Sequence, residues 1–196
     1  LGDHEKSVRQ AAVEHLKQHM ITAQPSHALI IIGLIAGRFS DAESPDEFKK
    51  NLTDSLHQLD DLAAEYRVFL GFELMNRFES DYLTTIAEGV SYLEKENFRN
   101  LSLHIDTVHM NIEEAQIGDA IRAGRGKIGH VHIADNDRYY PGHGHYDFYE
   151  TLKALKDIGY TGALALETNN LPDPHTSAEK SLKYLNKLLS DIEKAP

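Results

Sequence analysis

Short continuous apolar runs alternate along this chain with longer stretches in which apolar positions recur every three or four residues. The runs near 28–34, 68–74, 101–106, 128–134 and 163–168 read as buried strands. The stretches at 7–24, 45–66, 80–97, 112–123, 148–158 and 177–192 read as helices. In the second of these, Phe48, Leu52, Leu56, Leu59, Leu62, Ala63 and Tyr66 share one face. Ser44-Pro45 supplies its cap and first-turn proline, Ser80-Asp81 reads as the cap of the next helix, and Gly124 and Gly159 lie just past two others. Alternation of this kind is the signature of an α/β fold built from βα units around a parallel sheet. No linker interrupts it, so residues 1–196 read as a single domain. Five strands are fewer than the eight that close a (β/α)8 barrel. The chain opens on Leu1-Gly2-Asp3 and a helix, with no methionine and no preceding strand. The expectation is a carboxyl-terminal portion of such a barrel, its last five βα units, with about 80 to 95 further residues upstream.

Four of the five runs end on residues that can bind a divalent cation: Glu73, Asp106 with His109 three positions on, His132, and Glu167. In a parallel barrel the carboxyl ends of the strands are where chemistry is placed. Two glutamates, an aspartate and an imidazole form an oxygen-rich set with one nitrogen, which suits Mn²⁺ first and leaves Mg²⁺, Co²⁺ or Zn²⁺ open. Either glutamate alone would read as a cap or an ion-pair partner, and it is the joint spacing that turns the reading to a metal. His104 and His130 fall inside strands and read as packed, hydrogen-bonded histidines. His143 and His145 read as members of a solvated glycine-bearing loop, and Asp135 and Asp137 as candidates to support the site from behind, without a firm role.

Composition narrows the partners. With 41% hydrophobic residues among 196, the chain can bury one sizeable core. Its 31 acids against 20 bases give a net charge of -11, which argues against nucleic acid and anionic membrane. The absence of cysteine excludes disulfides, thiolate ligands and a cysteine nucleophile, and makes the cytoplasm the default compartment. The longest apolar stretch, 28–36, is too short to span a bilayer, and the first residues carry no signal pattern. A small-molecule substrate is the expected partner.

Several segments carry a family likeness: Glu73-Leu74-Met75-Asn76-Arg77-Phe78-Glu79, Asp106-Thr107-Val108-His109-Met110-Asn111-Ile112-Glu113-Glu114, His130-Val131-His132 followed by Asn136-Asp137-Arg138, and Pro141-Gly142-His143-Gly144. With these the chain resembles the sugar isomerase and epimerase superfamily of xylose-isomerase-like TIM barrels, and most closely the ketose 3-epimerases of the D-tagatose and D-allulose (psicose) type. The resemblance implies a TIM barrel, a sugar substrate, a homo-oligomer, and Glu73, Asp106, His132 and Glu167 as metal ligands. It also makes Glu73 and Glu167 the proton-transfer pair, with Glu79, His109 and Arg138 on substrate oxygens. Inverting a carbon beside a ketone needs a base on each face, and a metal on the ketone and hydroxyl oxygens stabilises the enediolate charge. Arg138 carries a fixed charge suited to an oxyanion. For Glu79 the alternative is an ordinary charge at the start of a helix opening at Ser80. Relatives commonly carry a glutamate between the ligand histidine and the arginine, whereas this chain reads Ile133-Ala134-Asp135-Asn136-Asp137-Arg138. Hydroxypyruvate isomerases, aldose-ketose isomerases and inosose dehydratases are alternatives on the same scaffold. An apurinic endonuclease is less favoured, because its Asp-x-His pair is here His143-Gly144-His145 and the net charge opposes DNA.

Overall fold

In the computed structural model, which describes residues 1–194, helices and strands alternate. The order is α1 (Lys6–Ala23), β1 (Leu29–Ile32), α2 (Pro45–Tyr66), β2 (Phe69–Glu73), α3 (Ile86–Glu96), β3 (Leu101–Asp106), α4 (Thr107–Glu113), α5 (Ile117–Ala123), β4 (Ile128–Ile133), α6 (Phe148–Asp157), β5 (Leu164–Leu166) and α7 (Pro174–Lys194). The strands pair in chain order, every pair parallel, as a five-stranded portion of a TIM barrel. Among the described residues, no helix is long and apolar enough to cross a membrane.

Side chains alternate across each strand. Ile30, Ile32, Leu70, Phe72, Leu103, Ile105, Val131 and Ile133 are buried in the core that the sheet shares with its helices. The other face carries Gly71 and Glu73 on β2, His104 and Asp106 on β3, and His130 and His132 on β4. Register aligns these residues laterally: Glu73 pairs with His104, His104 with His130, and Asp106 with His132. Between β3 and β4 the register slips. Leu103 pairs with Ile128 but His104 pairs with His130, so Gly129 is the extra residue of a bulge. A Cβ at Gly129 would lie 2.0 Å from Ser102 Oγ, which is why glycine is needed there.

Helix α2 forms as its pattern predicts. The Ser44 hydroxyl accepts from the Glu47 N–H at 3.2 Å, Pro45 opens the helix, and Phe48, Leu52, Leu56, Leu59 and Ala63 are buried. The third helix starts later than the sequence reading has it. Ser80 and Asp81 lie in the preceding loop, where Asp81 Oδ2 accepts from the Phe39 N–H at 3.1 Å. The cap is Thr85, in a reciprocal box with Glu88 that outcompetes the Ser80 signal. The single helix expected at 112–123 is two. Asp106 caps α4 at the end of β3, and the chain turns extended at Glu114, whose carboxylate accepts from the Ile86 N–H at 2.7 Å. The last helix opens at Pro174, three residues ahead of the expected Ser177, because the Asp173 carboxylate accepts from the Thr176 N–H at 2.9 Å.

Leu56 on α2 is 0% exposed and Leu182 on α7 is 59% exposed. Urea unfolding of Leu56→Ala is expected to show a loss of about 2–5 kcal/mol, whereas Leu182→Ala should stay within about 0.5 kcal/mol of the parent.

Candidate metal centre

The carboxyl ends of β2, β3 and β4, with the residue just past β5, bring Glu73, Asp106, His132 and Glu167 together. One ligand atom from each lies within 4.8 Å of the others. Asp106 is fully buried, and its carboxylate is satisfied on both oxygens. Oδ1 accepts from the Val108 and His109 N–H groups at 2.7 and 3.3 Å, and Oδ2 accepts from Arg138 Nη1 at 2.6 Å. His132 Nδ1 meets Glu167 Oε2 at 3.0 Å and Asp106 Oδ2 at 3.9 Å. Arg138 reaches Glu167 Oε2 as well, at 2.9 Å. The side chains predicted as ligands therefore converge, and Arg138 joins them through two of the carboxylates.

Local backbone explains each placement. Glu73 needs room beside β1, and Gly33 provides it: a Cβ there would come within 2.5 Å of Glu73 Oε2. His109 sits in the first turn of α4, which Asp106 caps. Its Nδ1 accepts from Asn76 Nδ2 at 2.7 Å, so its Nε2 is turned to Glu73 Oε1 at 3.6 Å. The same Asn76 amide donates to Glu79 Oε1 at 3.2 Å. Arg77 locks this loop to α4, with both its side chain and its N–H donating to Glu113 at 2.7–3.2 Å. Glu79 is thus not the first charge of a helix but a loop residue beside Asn76 and His109. Sequence reasoning missed Gly33 and Asn76, since each matters only through a neighbour remote in the chain. Asn76 could have been suspected from its place inside the Glu73–Glu79 segment.

The loop after β4 is held by Asp135, not by substrate-facing chemistry. Its buried carboxylate accepts from the N–H groups of Asn136, Tyr146 and Gly142 at 2.9–3.1 Å. Arg138 adopts a left-handed backbone, φ 63°, and its N–H closes a turn onto Asp135 O at 2.9 Å. His143 pairs with Asp137 at 2.7 Å and stacks on Tyr139, so neither His143 nor exposed His145 joins the metal group.

Electrostatics match the geometry. Burial pushes the Asp106 carboxyl above the usual range, and Arg138 opposes that shift. The His132 hydrogen bond, helped by Arg138, takes Glu167 down to about 2, against the pull of burial. Glu167 is therefore ionised, the state a ligand requires. Burial lowers His109, but the facing Glu73 carboxylate and the Asp106 charge outweigh it and hold the imidazole above its ordinary value.

His104 departs from the sequence reading. It is packed as expected, but neither ring nitrogen has a hydrogen-bond partner. Burial and the neighbouring His132 and His130 push it down to about 3. The half-buried His130 is also lowered, by burial and then by His132.

The residues fit a divalent cation by donor chemistry: three carboxylates and one imidazole at the mouth of a parallel barrel. Fold and site together define a βα-barrel chain with a carboxylate-rich group that could hold a cation. The xylose isomerase-like TIM barrel family model matches residues 1–188, and the chain belongs to that family. It is 36% identical over 167 residues to an L-ribulose 3-epimerase of Mesorhizobium japonicum, an alignment covering 84% of this chain and 56% of that protein. It is 32% identical over 157 residues to the 3-dehydro-D-guloside 4-epimerase of Escherichia coli, covering 78% of this chain and 60% of that protein. Among solved structures, one of an L-ribulose 3-epimerase superposes with a TM-score of 0.90 at 30% identity, over 98% of this chain and 72% of that one. The chain thus spans little more than half the length of these curated relatives.

Substituting Gly33→Val should crowd the Glu73 carboxylate without disturbing the core. Calorimetric titration with Mn²⁺ is expected to show affinity reduced about tenfold or more, with an unchanged circular dichroism spectrum. Unchanged affinity would show that the Glu73 carboxylate reaches its place without the room Gly33 leaves.

Proposed function

We propose that this chain carries the metal and proton-transfer machinery of a sugar epimerase that inverts carbon 3 of a ketose. The observation that supports it best is the position of the two glutamates. Glu73 and Glu167 come from β2 and the end of β5, on either side of the Asp106 and His132 strands, so they approach the mouth from opposite sides. Epimerisation needs that arrangement, because the proton leaves one face of the carbon and arrives on the other. The similarity to L-ribulose and D-psicose 3-epimerases supports the ketose and the carbon, and the 4-epimerase relative supports epimerisation of a sugar more broadly.

Glu73, Asp106, His132 and Glu167 would hold the cation, Mn²⁺ by choice of donors. Bound there, it supplies positive charge to the ketone and hydroxyl oxygens of the substrate. Each glutamate offers one oxygen to the four-ligand group and keeps a second for the proton. His109, oriented by Asn76, and Arg138, held at the site by Asp106 and Glu167, are placed to donate to the oxygens beside the reacting carbon. Glu79 would accept from a hydroxyl farther along the sugar. A three-zinc nuclease arrangement has less support, since His143 and His145 stay outside the metal group.

The test is solvent deuterium incorporation at carbon 3 across a panel of ketopentoses and ketohexoses, using this protein with Mn²⁺ and an EDTA control. Label at carbon 3 with an epimeric product, abolished by EDTA and by Glu73→Gln or Glu167→Gln, is the expected result. Label at carbon 1 or 2 would overturn the carbon assignment, and full turnover in either glutamine variant would overturn the two-base mechanism. Arg138→Ala should lower turnover about a hundredfold or more while leaving Mn²⁺ stoichiometry unchanged.

A further inference from the structure

Beneath the four-ligand group, the inner face of the sheet carries a second set of metal-ligating atoms. His104 is 0% exposed, and its two ring nitrogens are the only buried side-chain polar atoms without a hydrogen-bond partner among the described residues. Leaving such a nitrogen unsatisfied is unfavourable, and the ordinary remedy is an ordered water or an ion. What surrounds His104 is more imidazole. Its ring centroid lies 4.1 Å from that of His132 and 5.2 Å from that of His130. One nitrogen from each of the three rings lies within 4.8 Å of the others, and no carboxylate belongs to this group.

The fold takes a specific step to build this cluster. Without the bulge, β3 and β4 would pair His104 with Gly129 and Ile105 with His130, which puts His130 opposite a core position. The extra residue at Gly129 shifts the register so that His104 faces His130 and Asp106 faces His132. A side chain at 129 would collide with Ser102, so the histidine cluster depends on that glycine.

We propose that His104, His130 and His132 form a second metal site that takes an imidazole-preferring divalent cation of the Zn²⁺ class. Three neutral imidazoles suit Zn²⁺, Ni²⁺ or Cu²⁺ and offer little to Mn²⁺ or Mg²⁺, which prefer oxygen. His132 belongs to both groups, and its Nδ1 is engaged with Glu167 at 3.0 Å. A neutral imidazole has one lone pair to give, so serving two cations at once would require loss of its remaining ring proton. The two sites are therefore alternatives. Zn²⁺ in the deeper site withdraws His132 from the carboxylates and weakens Mn²⁺ binding at the mouth, which makes it an inhibitory site. This inference rests on the arrangement of ligands and not on the epimerase reading.

The test uses the metal alone. In Glu73→Gln/Glu167→Gln the carboxylate site is disabled, and this chain is expected to bind one Zn²⁺ by calorimetry and to give nitrogen-rich Co²⁺ absorption bands. Adding His104→Leu, or His130→Gln where the first variant fails to fold by circular dichroism, should weaken that binding about tenfold or more. In the unsubstituted chain, Zn²⁺ should lower Mn²⁺ affinity, and His130→Gln should relieve the effect. Failure of the glutamine variant to bind Zn²⁺ or Co²⁺ would overturn the proposal and assign the orphaned nitrogens to water. Binding that survives both histidine substitutions would overturn it as well. Either result leaves the deuterium test of the epimerase reading untouched.

Discussion

Burial of the Asp106 carboxylate is the constraint around which the site is built. The group is 0% exposed at the end of β3, and an ionised carboxylate costs several kcal/mol to remove from water unless its lone pairs are met. Each compensation makes a piece of the site. The two N–H groups that Oδ1 accepts from are those of Val108 and His109, so the same bonds start α4 and fix His109 next to Glu73. The Oδ2 atom takes Arg138, which in turn reaches Glu167. One buried acid thereby couples the ends of three strands.

That coupling requires a loop stiff enough to hold Arg138. Thr107 Oγ1 both donates to the Ala134 carbonyl at 2.6 Å and accepts from the Ala134 N–H at 2.9 Å, which latches the start of α4 to the end of β4. The next residue, Asp135, gathers three backbone N–H groups into its buried carboxylate and shapes the chain as far as Tyr146. Arg138 leaves this frame in a left-handed conformation, which costs a non-glycine residue of order 1–3 kcal/mol. The bonds to Asp106, Glu167 and Asp135 offset that cost. Asp135, a candidate to support the site from behind, does so through the loop, by shaping the segment that carries Arg138.

What could be read from the sequence follows from range. The strands and the meeting of Glu73, Asp106, His132 and Glu167 were legible because each is a local pattern, an apolar run closed by an acid or an imidazole, and parallel pairing in chain order then brings the ends together without further information. Helix starts failed where two local signals competed. Ser80-Asp81 looks as good a cap as Thr85, and only the ties of Asp81 to Phe39 and of Glu114 to Ile86 decide between them. Gly33 and Gly129 carried no signal, because what they accommodate, Glu73 and Ser102, lies on a neighbouring strand. His104 was misread for the same reason. Its burial was legible from the apolar residues around it, but its lack of a partner is a property of what stands opposite, which here is two more imidazoles.

The vertical order of the inner face also has a physical reason. Asp106 stands at the end of β3, where Arg138 and the first N–H groups of α4 answer its charge, and His104 and His130 stand two residues below Asp106 and His132 on the same strands. Burying an ionised carboxylate in place of His104 would cost far more than burying a neutral imidazole. Yet an apolar pair at His104 and His130 would cost less still, since it would leave no nitrogen unsatisfied. Polar groups that are neither charged nor hydrogen-bonded, placed by a bulge that a single glycine permits, are best accounted for by a ligand that completes them. No carboxylate among the described residues belongs to the three-histidine group, so a nitrogen-preferring cation there meets little competition from oxygen donors.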